Sequence, residues 1–242
     1  MLFSQIFLHQ LKKEPFSAVT TAIGVILMVY SPHLWLYLVL VFLALLQKYL
    51  IKVENRHIFN PSNFAILILV LLFGRFGAVS GGTLGHNQLL WIFTLFLAIW
   101  ILYRVDRWVL SLVFGVAYLF FENLFIVGYD YTTFFEDIFE RFYSVSFILF
   151  ILFMLTDPAT TPKSKTSQAI FAVLIALVAS LLDRYFGFKS WHIFFALSLI
   201  SPLTPIFDQK RLYFQILWIE LALILATLYI SFRAGYYLGV PN

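Results

Sequence analysis

An all-α integral membrane protein, a polytopic bundle of about nine spans, is the fold class this sequence predicts, on three observations. Hydrophobic residues make up 62% of the 242 and charged residues only 12%. A soluble domain carries about 25% charged residues, so most of the apolar area here has to be covered by lipid. The apolar residues fall into about nine stretches separated by short polar turns. The basic residues in those turns divide unevenly between alternate loops, the pattern of cytoplasmic and external sides.

The stretches follow in order. The first runs from Ser17 to Tyr30, and Ser31-Pro32 turns the chain into the second, His33 to Leu46. The third begins at Pro61 and ends near Phe73, and the fourth runs from Asn87 to Tyr103. The fifth is Trp108 to Val127, the sixth Tyr143 to Leu155 and the seventh Ser167 to Leu182. The eighth is Trp191 to Leu203 and the ninth Leu212 to Ser231. An upright span needs about 20 residues. Several of these are shorter, so they tilt little, thin the bilayer or sit inside the bundle. Between the fifth and sixth, Thr133 to Phe142 puts Phe134, Phe135, Ile138, Phe139 and Phe142 on one helical face and acids on the other. Thr133 and Glu136 have capping-box spacing, and the segment reads as a short interfacial helix. The whole chain reads as one membrane domain.

Lys12, Lys13, Lys48, Lys52, Arg56, Arg104, Arg107, Lys163, Lys165, Lys210 and Arg211 fall on one side of this topology. Arg75, Arg141, Arg184, Lys189 and Arg233 fall on the other. Eleven against five predicts a cytoplasmic N-terminus in a multi-pass protein of the cytoplasmic (inner) membrane. The first stretch lacks a small-residue cleavage site and reads as retained.

The composition excludes several chemistries. With no cysteine, disulfides, thiolate metal sites, iron–sulfur clusters and thiol catalysis are absent. His9, His33, His57, His86 and His192 show no metal-ligand spacing. The net charge of +4 is scattered through short loops, so the lipid bilayer, and no nucleic acid, is the expected partner. No self-contained catalytic site is read.

Ionisable residues inside spans are costly and tend to be functional. Glu220 lies near the middle of the ninth stretch and Glu122 in the second half of the fifth. Each reads either as part of an ion or proton path or as a neutral carboxyl bonding a neighbouring helix. Two polar, proline-containing motifs stand out further: His57-Ile58-Phe59-Asn60-Pro61-Ser62-Asn63 and Thr156-Asp157-Pro158-Ala159-Thr160-Thr161-Pro162. In each, Asn or Asp precedes proline, which predicts an N-cap followed by the first helical turn. Free backbone N–H groups at such a start can hold an anion or polar ligand, although capping alone explains the residues too. The two prolines lie 97 residues apart, which suggests two internal repeats of the kind transporters use. A third stretch, Val79 to Asn87, is glycine-rich and reads as a re-entrant or ligand-contacting loop, or as a flexible external one.

Taken in this order, the motifs resemble one family. It contains a membrane subunit of the sodium-translocating NADH:quinone reductase and its counterpart in the Rnf electron-transport complex. The matching pieces are Phe59-Asn60-Pro61-Ser62-Asn63, Gly82-Thr83-Leu84-Gly85-His86, Met154-Leu155-Thr156-Asp157-Pro158-Ala159-Thr160-Thr161, and Pro205-Ile206-Phe207-Asp208. The resemblance implies a urea-transporter-like fold, a flavin (FMN or riboflavin) or quinone held by a membrane subunit, and electron transport coupled to ion movement. It places cofactor contacts at Asn60, Ser62, Asn63, Thr83, Thr156, Asp157, Thr160 and Thr161. Other membrane electron-transport subunits are the implied partners. Many members carry FMN on the threonine of a Ser-Gly-Ala-Thr motif. Here the nearest match is Ser80-Gly81-Gly82-Thr83, with glycine for alanine. It reads as the family's separate glycine-containing loop, so binding is expected to be noncovalent, without FMN attached covalently at Thr83. No NADH site is read. A transporter or channel for a small polar solute or vitamin is the alternative function for the same fold.

Overall fold

The computed structural model describes residues 15–53, 56–79, 88–127 and 144–208. They are mostly helical. Helix α1 spans Pro15–Met28, with proline in its first turn, where a missing N–H costs nothing. Helix α2 spans Leu34–Leu50 and α3 Pro61–Leu72, the latter capped by Asn60, whose Oδ1 accepts the Asn63 N–H at 3.1 Å. Helix α4 spans Gln88–Val105. Helix α5 spans Trp108–Glu122 and continues as a π-helical turn over Asn123–Val127. Helix α6 is Val145–Leu149, capped by Ser144, and it too runs on as a π-helical turn, Phe150–Met154.

Helix α7, Lys165–Phe186, is the longest, and Gly187 ends it with a φ of 75° that other residues rarely adopt. Helix α8 is His192–Ile200, followed by a 3₁₀ turn, Ser201–Leu203, and the one-turn α9, Thr204–Phe207. Two antiparallel pairs of two-residue strands tie the helix ends. Val29–Tyr30 pairs with Ala78–Val79, and Lys52–Val53 with Arg56–His57.

The helices pack as two groups. Phe114 of α5, Phe147 and Phe150 of the α6 segment, Phe171 of α7 and Phe194 of α8 fill the larger core. Val25 of α1, Leu36, Leu40 and Ala44 of α2, and Ala65 and Leu69 of α3 fill the smaller. Asn63 links the groups, donating through Nδ2 to the Phe194 carbonyl at 2.9 Å and to Ser198 Oγ at 2.7 Å. Helices α1 and α3 approach so closely at Gly24 that a Cβ there would overlap the Ser62 hydroxyl. Helices α5 and α7 run side by side in the same direction. Near their starts Lys165 Nζ meets Asp106, and further along Tyr118 meets Asp183.

Each of the first eight predicted stretches falls on a helix. The ninth, and the predicted interfacial helix Thr133 to Phe142, lie outside the described residues. Two described helices are long and apolar enough to cross a membrane, Trp108–Phe125 and Lys165–Phe186. Helix α4 leaves Leu89, Ile92, Phe96, Trp100 and Tyr103 exposed, an arrangement that water would not tolerate and lipid does.

Two expectations change. Asp157-Pro158 does not open a helix. It opens a tight turn, and the helix starts only at Lys165, with Ser164 as its cap accepting the Ser167 N–H at 3.1 Å. Pro162 supplies the reason: a helix begun at Pro158 would need an N–H from Pro162, which has none. Lys48 is not a loop charge. It lies in α2, 5% exposed, with its ammonium on Ser17 Oγ.

Candidate functional site

The two sequence motifs meet in space. Asn60 Nδ2 donates to Asp157 Oδ2 at 3.1 Å, across the 97 residues between them. Each side chain also organises its own backbone. Asn60 Oδ1 caps α3, and Asp157 Oδ1 accepts the Ala159 N–H at 2.9 Å. The Asp157 carbonyl accepts the Thr161 hydroxyl at 2.7 Å and the Thr160 N–H at 3.2 Å. The contact therefore joins two ends that are each already rigid.

The same end of the bundle holds a latch of further loops. Arg107 Nη1 donates to the Pro162 carbonyl at 2.6 Å and to the Lys163 carbonyl at 3.3 Å. Gln168 Nε2 donates to the same two carbonyls. Asp208 accepts the Lys163 N–H at 3.0 Å and stands 3.9 Å from Arg56. Thr204 donates to the Thr160 carbonyl at 2.8 Å. Burial pulls the Arg107 guanidinium below its ordinary pKa, while Asp208 and Asp106 pull it back up. It stays charged.

Beside the Asn60–Asp157 contact opens a cavity of about 680 Å³. Its polar lining comes from Ser17, Thr20 and Thr21 of α1 and from Lys48, His57, Asn60, Ser62, Thr156 and Asp157. Its walls are apolar: Ile23 and Leu27 of α1, Phe93, Leu97 and Ile101 of α4, Leu152 and Phe153 before the Asp157 turn. Of the predicted contact residues, Asn60, Ser62, Thr156 and Asp157 line it. Asn63, Thr160 and Thr161 do not. Asn63 turns to α8, and the two threonines return their hydroxyls to the Asp157 carbonyl. Thr83 and Glu220 lie outside the described residues.

A sequence model of the NQR2, RnfD, RnfE family matches residues 13–213. The chain belongs to that family. No match was found among curated proteins. The family is membrane-integral and related to electron transport, so the exposed apolar helices face lipid. In this NQR2, RnfD, RnfE family chain, two of the four motifs that carried the resemblance, those of Asn60 and Asp157, border the same cavity.

Sequence reasoning missed a second polar centre at the other end of α5 and α7. Asp183, 3% exposed, accepts from Tyr118 OH at 2.9 Å, from the Lys189 N–H at 3.1 Å and from His192 Nδ1 at 2.6 Å. Glu122 is fully buried, facing Asp183 and Ser180, and neither of its oxygens finds hydrogen-bond geometry among the described residues. A signal was available. Asp183 sits in the last turn of α7, where the helix dipole disfavours negative charge, so compensating donors were to be expected. The described residues contain no group of three His, Asp or Glu able to hold a metal ion.

Proposed function

We propose that this chain is a membrane-embedded electron-transport subunit, or a stand-alone relative, that binds a flavin (FMN or riboflavin) or a quinone noncovalently beside the Asn60–Asp157 contact. The observation that carries the reading is that contact itself, facing a cavity within the roughly 300–1,000 Å³ of small-molecule sites. The donors fit such a ring. Asn60, Ser62, Thr156 and Asp157 offer both donors and acceptors, and Phe93 and Phe153 offer apolar faces. When bound, the group supplies the one- and two-electron chemistry. The chain supplies orientation, through polar groups held by a rigid cap and a rigid turn, and exclusion of water, through the apolar walls.

The reading extends to ion movement coupled to electron transfer, with partner membrane subunits delivering the electrons. It also takes the chain to cross the plasma membrane about nine times as a urea-transporter-like bundle, its N-terminus cytoplasmic. The eleven-to-five division of basic residues supports that orientation. The experiment is purification in detergent. The protein should be yellow, with flavin absorbance released on denaturation, or should rebind flavin or quinone when supplied. A colourless protein that binds neither sinks the proposal. Uptake of a small solute by proteoliposomes lacking any electron donor would instead favour a transporter.

A further inference from the structure

The second polar centre does something the first cannot. We propose that Glu122, Asp183 and His192 form a buried proton-binding site in which Glu122 carries one exchangeable proton. The proposal deepens the ion-coupling part of the reading above, naming the proton as the ion, and it stands apart from the cofactor part.

The argument starts from burial. Tyr118, Glu122, Ser180 and His192 are 0% exposed and Asp183 is 3% exposed. Two carboxyl groups share this space, from α5 and α7, with Tyr118 on α5 and His192 on α8 packed against them. Asp183 is provided for as an anion, because hydroxyl, backbone amide and imidazole all point donors at it. Glu122 has no such provision among the described residues. Its two oxygens meet Asp183 and the Ser180 hydroxyl, and neither they nor Ser180 Oγ hold a hydrogen-bond partner among the described residues. Two ionised carboxylates facing each other out of water are strongly disfavoured, so the one without donors takes the proton. With that proton Glu122 can donate to Asp183 or Ser180 by a small rotation. His192 Nε2, also buried and without a partner among the described residues, gives the site a second proton-carrying atom. Loading and release move one proton between the Glu122 carboxylate and water, with no other bond made or broken. A cation other than the proton is less well served, since no three of these groups converge on one point.

The test is infrared spectroscopy of the purified full-length protein in detergent, without electron donor, across a pH series. A carboxylic acid C=O band is expected that fades as the pH rises and is missing in Glu122→Gln. His192→Gln should move the pH at which it fades, which a purely structural histidine would not do. Should Glu122→Gln fail to fold, Glu122→Asp serves, with the band retained at a shifted frequency. A band that is absent, insensitive to pH, or unchanged in the Glu122 variants overturns the proposal. Flavin binding in the same sample is read separately by absorbance, so the loss of one reading leaves the other standing.

Discussion

The two ends of the α5–α7 pair handle buried polar groups in opposite ways. At one end, Asn60 and Asp157 spend part of their hydrogen-bonding capacity on each other and part on their own backbones, and they border an open cavity. At the other, Asp183 accepts from three donors among the described residues, and Glu122 beside it is fully buried. The open end suits a ligand that comes and goes. The closed end suits only something as small as a proton. Polarity inside this bundle is therefore a matter of access as much as of residue type.

Four substitutions break or sharpen the contrast. The largest effect is expected for Asp183→Ala. It strands three donors in an apolar interior, and losing one partner of a buried pair costs about 3–5 kcal/mol. Thermal unfolding in detergent should drop steeply, while flavin binding per folded molecule holds. A variant as stable as the parent would mean that the closed end is not structural. Next is Gly24→Ala, whose Cβ meets the Ser62 hydroxyl. Overpacking of this kind costs about 1–3 kcal/mol, and adding Ser62→Ala should recover most of the melting temperature.

Asn60→Ala comes third in stability but first in function. Loss of the cap costs about 0.5–2 kcal/mol, and loss of the bond to Asp157 should weaken flavin or quinone affinity at least about tenfold. Titration with the ligand, set beside the same titration of Asp183→Ala, separates the two ends directly. The smallest effect belongs to Lys165→Ala. Its 2.6 Å pair with Asp106 is largely exposed, and such pairs contribute about 0–1 kcal/mol. Its melting temperature should stay close to the parent's at high salt.

Much of the open end was legible in the sequence, because its devices are local. Asn-Pro spacing predicts a cap from residues within four positions of each other, and Asn60 caps α3 as that spacing requires. The Asp157 motif was legible as polar and rigid but not as a turn, since Pro158 invites a helix and only Pro162 forbids it. That the two motifs touch could not be read from spacing, which suggested a repeat without saying that its halves meet. The closed end was half legible. Glu122 stood out as a charge within an apolar run. Asp183 and His192 did not, because Gly187 turns the chain between them and the predicted seventh stretch stopped at Leu182. Lys48 counted as a loop cation for a similar reason: its helix runs four residues beyond the predicted end.

The π-helical turn over Phe150–Met154 stands immediately before Thr156 and Asp157. A π turn closes with one residue more than an α turn, and each residue of an α-helix advances the chain by about 100°. Removing a single residue from this turn would restore ordinary helical winding and swing Asp157 about 100° around the helix axis, away from Asn60. In the language of genetics, the meeting of the two motifs is phased by one codon. A one-codon deletion here would part them while leaving every residue of both in place.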